Sequence, residues 1–184
     1  CITPAFRNDL AHLSYMNDGP LLAREFLNRN GIHLIMEKHL PHTYIDGAAM
    51  LLPDGSPVIG MTIRYDRLDN FWFVLFHELA HIAMHLAHNT ESLYIEDFEN
   101  KPENAEEKEA DQWASESLIP DETWSISCLD LNATETDIIS FSKKLRINPA
   151  IVAGRIRREH SNYKIFSSLI GNGKVKNRFF PTES

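Results

Sequence analysis

The stretch Asp69-Asn70-Phe71-Trp72-Phe73-Val74-Leu75-Phe76-His77-Glu78-Leu79-Ala80-His81-Ile82-Ala83-Met84-His85 decides how this chain is read. Its apolar residues spread around every side of a helix, so the spacing predicts a buried helix over residues 70–88, with Asp69 at its start. Into that apolar setting the sequence inserts His77, Glu78 and His81, the pattern H-E-x-x-H. On a helix, positions i and i+4 lie one above the other, so both imidazoles can reach one ion at the ~2.0–2.1 Å zinc–nitrogen distance. Glu78 reaches a water on that ion without taking a coordination place, and zinc lowers the pKa of such a water to about 7. Glu78 is therefore the candidate general base, and later the proton donor to a leaving amine. The plain alternative is a set of satisfied core side chains. Burying two imidazoles and a carboxylate is costly unless each is satisfied, and a metal satisfies all three together.

A peptidase-type zinc site keeps three protein ligands and leaves the fourth place open. A metzincin has a third histidine six residues after the second, beyond a glycine; here those places hold Ala87 and Met84. His85 and His88 lie too far along the same helix to close a tetrahedron, and His85 reads as a rim group or a plain surface residue. The next helix, expected from Asn104 to about Ile119 with Asn104 and Glu107 as a capping box, has Ala110, Trp113, Ala114, Ser117 and Leu118 as its buried stripe. Glu109 borders that stripe one turn before Trp113 and is the preferred third ligand. Glu107 points some 200° away at ~100° per residue. Asp111 is shorter and suits orienting a ligand from outside. Glu106, three positions from Glu109, stays a rival.

Around this centre the chain reads as one ordinary α+β protein. It has 184 residues with 43% hydrophobic and 24% charged content, which suits one globular core. Residues 1–19 end in the turn signal Asn17-Asp18-Gly19-Pro20 and read as a connector. Helical spacing over residues 21–30 stops at Asn30-Gly31. Residues 33–40 alternate as a strand, and residues 48–52 and 58–63 form a β-hairpin around Pro53-Asp54-Gly55-Ser56. Residues 90–101 are acidic and irregular. Helices over residues 134–145 and 149–159, joined by Arg146-Ile147-Asn148, have a helix-turn-helix shape. The tail after Gly171 is basic and reads as loosely packed. The expected division is thus a connector (1–19), a metallopeptidase-like domain with a small sheet (20–127), a helical helix-turn-helix-like segment (128–170) and a basic tail (171–184).

Net charge is −8, which argues against the whole surface binding nucleic acid. Charge is uneven: residues 91–137 hold fifteen Asp/Glu against two lysines, and residues 143–178 hold ten Lys/Arg against one glutamate. The basic set Lys143, Lys144, Arg146, Arg155, Arg157 and Arg158 either touches DNA or pairs with the acidic stretch. Two cysteines, Cys1 and Cys128, exclude a disulfide framework and suit a reducing, cytoplasmic compartment. No apolar run approaches the ~20 residues of a membrane span, so no membrane partner is expected. The start at Cys1 suggests that something upstream is missing.

The run from His77 to His85, followed by Glu107-Lys108-Glu109-Ala110-Asp111-Gln112-Trp113-Ala114 and Leu118-Ile119-Pro120, resembles the ImmA/IrrE metallopeptidase family. So do Asp46-Gly47-Ala48-Ala49, Arg64-Tyr65-Asp66-Arg67-Leu68-Asp69 and Asn148-Pro149-Ala150-Ile151-Val152-Ala153-Gly154-Arg155-Ile156. The resemblance spans residues 20–170. Trp113 and Ile119 stand where phenylalanine and methionine are usual. It implies an α+β domain, zinc on His77, His81 and the glutamate before alanine, Glu109, and hydrolysis of a peptide bond in a protein partner. The implied partner is a transcriptional regulator, and DNA is reached through an upstream domain. The implied alternative is a regulatory or antitoxin module whose zinc is structural or sensory. A complete H-E-x-x-H favours hydrolysis, because a structural site has no use for Glu78.

Overall fold

The computed structural model describes residues 2–38, 45–86, 94–97 and 105–181. Cys1, His88, Asn104 with its expected cap, and most of the acidic stretch 90–101 lie outside the described residues. The architecture is α+β, with a four-stranded sheet beside a helical body.

Helix α1 (Pro4–Leu13) begins at Thr3, whose side chain accepts the Phe6 amide, with proline in the first turn. This corrects the connector expected over 1–19: Phe6, Leu10 and Ala11 are buried in the main core, and α1 packs on α2 (Gly19–Arg29) and α4 (Ala105–Leu118). Gly31 ends α2 at φ +77°, a conformation that costs glycine little. Strand β1 (His33–Glu37) follows. The expected hairpin is formed by β2 (Ile45–Leu51) and β3 (Pro57–Thr62), paired antiparallel from Gly47–Met61 to Leu51–Pro57. The spatial order is β1-β3-β2-β4, with β1 parallel to β3 and β4 (Tyr94–Asp97) antiparallel to β2. Strand β4 lies inside the stretch read as irregular; its acids hid any alternation.

Helix α3 (Leu68–Ala80) runs beneath β2 and β3, buried at twelve of its thirteen positions. From His81 to Leu86 the helix widens to π form, so the expected single helix changes pitch at the second histidine. Helix α4 crosses α3 and is followed by a short α5 (Asp121–Ser125). Helix α6 (Glu135–Leu145) opens on a capping box of Thr134 and Asp137 and closes on Arg146 at φ +55°.

Helix α7 (Pro149–Glu159) is buried at eight successive positions, Ala150 to Arg157, because it packs on α3. Segment 128–170 is therefore part of the main body: Ile138, Ile147, Ile151, Val152 and Ile156 share one apolar cluster with Trp72 and Phe76. The tail also differs from expectation. Val175 is buried, Gly171 lies against Leu68, and Phe179 of α8 (Lys176–Phe179) meets Phe71 at 6.0 Å between ring centroids. Asp66 holds this segment by accepting the amides of Val175 and Lys176. No described helix is long and apolar enough to cross a membrane.

Candidate metal centre

The centre sits where the last turns of α3, the π-helical turn, β2 and α4 meet. His77, Glu78 and His81 are buried, and the i, i+4 spacing brings His77 Nε2 and His81 Nε2 to 2.9 Å from each other. Each ring is fixed from behind. Asp111 Oδ1 lies 2.8 Å from His77 Nδ1, and His85 Nδ1 lies 2.9 Å from His81 Nδ1. A ring whose Nδ1 donates outward presents the Nε2 lone pair inward, which is the tautomer a metal ligand needs.

Glu107 completes the set. Its carboxylate oxygens stand 3.2 Å from His77 Nε2 and 3.4 Å from His81 Nε2. His77, His81 and Glu107 offer three ligand atoms within 4.8 Å of one another, a grouping able to hold a metal ion. The donor set, two inward-facing imidazoles and one carboxylate, fits zinc with an open fourth place.

Glu109, expected as the third ligand, does not converge on this point. Its side chain is 64% exposed against 18% for Glu107, and among the described residues its Oε2 reaches His85 Nε2, at 3.4 Å. The physical reason is helix phase. At ~100° per residue, Glu107 lies about 20° from both Ala114 and Leu118, the buried face of α4, whereas Glu109 lies about 140–180° from them. Trp113, used to place Glu109 near the core, is only half-buried. Asp111 is about 40° from Glu107 on the same face and serves His77 from outside. His85 proves to be more than a rim residue: it backs His81, and Glu109 in turn backs His85.

One contributor went unrecognised. A Cβ built on Gly47 of β2 would fall 2.3 Å from Glu78 Oε1, so the strand passes directly over the candidate base. A glycine inside a strand is the signal for such a close approach. Here the strand supplies the roof under which Glu78 is held.

A match to the IrrE N-terminal-like domain model covers residues 28–156. The chain belongs to the IrrE-like metallopeptidase family. The match runs from the end of α2 through α7, so the IrrE-like domain takes in most of the segment first set apart as helix-turn-helix. No curated protein matches the chain. Within the IrrE-like domain, the expected basic surface is partly consumed. Arg155 is buried, bonded to the Ile119 carbonyl at 2.7 Å and paired with Asp121 at 2.6 Å. Arg157 is buried as well, and burial pulls its guanidinium below the usual range. Lys143, Lys144 and Arg146 remain exposed.

Proposed function

We propose that this chain is a zinc-dependent peptidase that hydrolyses a peptide bond in a protein partner, a transcriptional regulator. The observation that carries the reading is Glu78: fully buried beside the histidine pair, outside the ligand grouping, and roofed by Gly47. A purely structural metal site needs no such carboxylate. His77, His81 and Glu107 are the proposed zinc ligands, with Asp111 and His85 holding the rings. Bound there, zinc would supply an acidified water and a Lewis acid for a scissile carbonyl. Glu78 would hold a proton on a carboxylate oxygen and pass it to the departing amine nitrogen. The exposed thiol of Cys128 suits a reducing compartment, and we assign the protein to the cytoplasm.

The test is Glu78→Gln in zinc-loaded protein. The variant should keep one zinc per chain and its melting temperature, lose cleavage, and retain the partner in a pull-down. Cleavage of that partner at the wild-type rate would refute the base assignment. A partner bound but uncleaved by the wild type would favour the regulatory reading instead.

A further inference from the structure

A cavity of about 380 Å³ adjoins the metal centre, within the ~300–1,000 Å³ range of small-ligand pockets. Its walls include Asp46, Asp69, Arg67, Phe73, Tyr163 and Arg158. Three connections tie it to the centre. Phe73 stands one turn before His77, with ring centroids 6.3 Å apart. Asp46 precedes Gly47, which roofs Glu78. Arg158 feels the charge of Asp69 and, after it, that of Asp111, the residue that holds His77.

The four charged walls, Asp46, Asp69, Arg67 and Arg158, balance by count, and Arg64 adds a cation behind Asp46. Asp46 pairs with Arg64 at 3.5 Å, and Asp69 pairs with Arg67 at 3.0 Å. Arg158 is in neither pair. Its guanidinium carbon lies 3.6 Å from the Phe73 ring centroid, and among the described residues it makes no hydrogen bond or ion pair. Burial pulls its pKa down to about 10, so it stays charged at neutral pH while partly stripped of water. A desolvated cation with unused donors favours an anion that can accept two parallel N–H bonds. Gly154, one turn earlier on α7, keeps this wall open: a Cβ there would come within 2.8 Å of Asp69 and 3.6 Å of Arg158.

We propose that Arg158 determines specificity by binding a substrate carboxylate in this cavity, supplied by an acidic side chain or by the free C-terminus. The inference rests on the peptidase reading of the metal centre. The 6.3 Å and 3.6 Å steps limit the reach from His77 to about three residues of extended chain at ~3.4 Å each, so the carboxylate lies within that distance of the cleaved bond. The aromatic walls, Phe73 and Tyr163, accept the apolar part of the same residue or its neighbour.

Two measurements on the zinc-loaded chain test this. The first digests a mixed dodecapeptide library, prepared with free and with amidated C-termini, and reads the cleavage sites by mass spectrometry. The wild type should favour an acidic residue, or a free terminus, within three residues of the cut; comparing the two libraries tells the sources apart. The second titrates benzylsuccinate and its monoamide calorimetrically and needs no turnover. Arg158→Met keeps the stem packed on Phe73 without the charge; Arg158→Lys keeps the charge without the fork. Arg158→Met should bind benzylsuccinate about tenfold to a hundredfold more weakly and lose the library preference, with melting temperature and zinc content unchanged; Arg158→Lys should fall between. Unchanged benzylsuccinate affinity in Arg158→Met overturns the proposal, even if peptides are cleaved. Arg158-dependent binding without cleavage by the wild type sustains the carboxylate site and removes the peptidase reading.

Discussion

Gly47→Ala isolates the function of the roof strand from the stability of the fold. The added methyl would sit 2.3 Å from Glu78 Oε1 and 2.9 Å from Cδ and Cγ, whereas ordinary contact begins near 3.4 Å. Relief requires the carboxylate to move by about 1 Å. The three nearest atoms all belong to the Glu78 side chain and none to backbone, so turning that side chain relieves the clash: melting should drop by no more than about 4 °C, or ~1 kcal/mol. Catalysis has no such escape. A misplacement of about 1 Å can cost ~100-fold in rate, close to 2.7 kcal/mol of barrier. The nearest atoms are all of Glu78 and none of His77 or His81, so zinc should remain at one per chain. The assay measures library peptide hydrolysis, zinc content by elemental analysis, and thermal melting on one preparation. Wild-type turnover in Gly47→Ala would show that Glu78 does not act from its position under β2. Loss of zinc with the activity would show that the strand supports the ligands rather than the base.

Other expectations follow from the same geometry. Glu107→Gln should weaken zinc binding at least tenfold while Glu109→Gln changes it only a few-fold; the opposite order in a chelator competition would restore Glu109 as ligand. Asp111→Ala, which frees His77 Nδ1, should lower zinc affinity by about 10–100-fold with the helical circular dichroism signal unchanged. Thr134→Ala removes the cap of α6 and should cost about 1 kcal/mol in denaturant unfolding, since both halves of its capping box are formed. In gel shifts the chain should bind DNA weakly and lose it on raising salt, because α7 turns its buried face to α3; a salt-resistant preference for one sequence would contradict this.

Much of the fold was legible because it is written in local chemistry. The turn Pro53-Asp54-Gly55-Ser56 announced the β2–β3 hairpin, and the helices expected from Thr134 and Pro149 are α6 and α7. What failed was long-range. Nothing local in residues 4–13 tells a connector from a helix whose Phe6 and Leu10 enter the core, because burial depends on α2 and α4 arriving at the same place. A helix-turn-helix pattern likewise says nothing about which face of α7 is covered. The answer lay in Ala150, Ile151, Val152, Ala153 and Gly154, a run too small and apolar for a helix that must read bases in solvent. The tail was judged by its charge, although Val175 and Phe179 were its anchoring residues.

The site was legible to the extent that one helix determines it. His77, Glu78 and His81 needed only the i, i+4 rule, and the structure brings the two rings together. The third group depends on the phase of a second helix, and that phase was present in the sequence. Ala110, Ala114 and Leu118 repeat at spacings that define the face of α4 toward α3. Glu107 and Asp111 fall on this face by the same rule that pairs His77 with His81. Two i, i+4 pairs on crossing helices therefore meet, one carboxylate facing the ring nitrogens from inside and the other from outside. Trp113, a large residue that reaches the core from the flank, is a poorer guide to that phase than the small residues. His85 illustrates the opposite limit. Its closeness to His81 arises where α3 gives way to π form, a change of pitch that no residue pattern in 81–86 announces. The motif thus fixes the donors on α3, and the small-residue stripe of α4 fixes their partner. The outer support of His81 exists only in the folded chain.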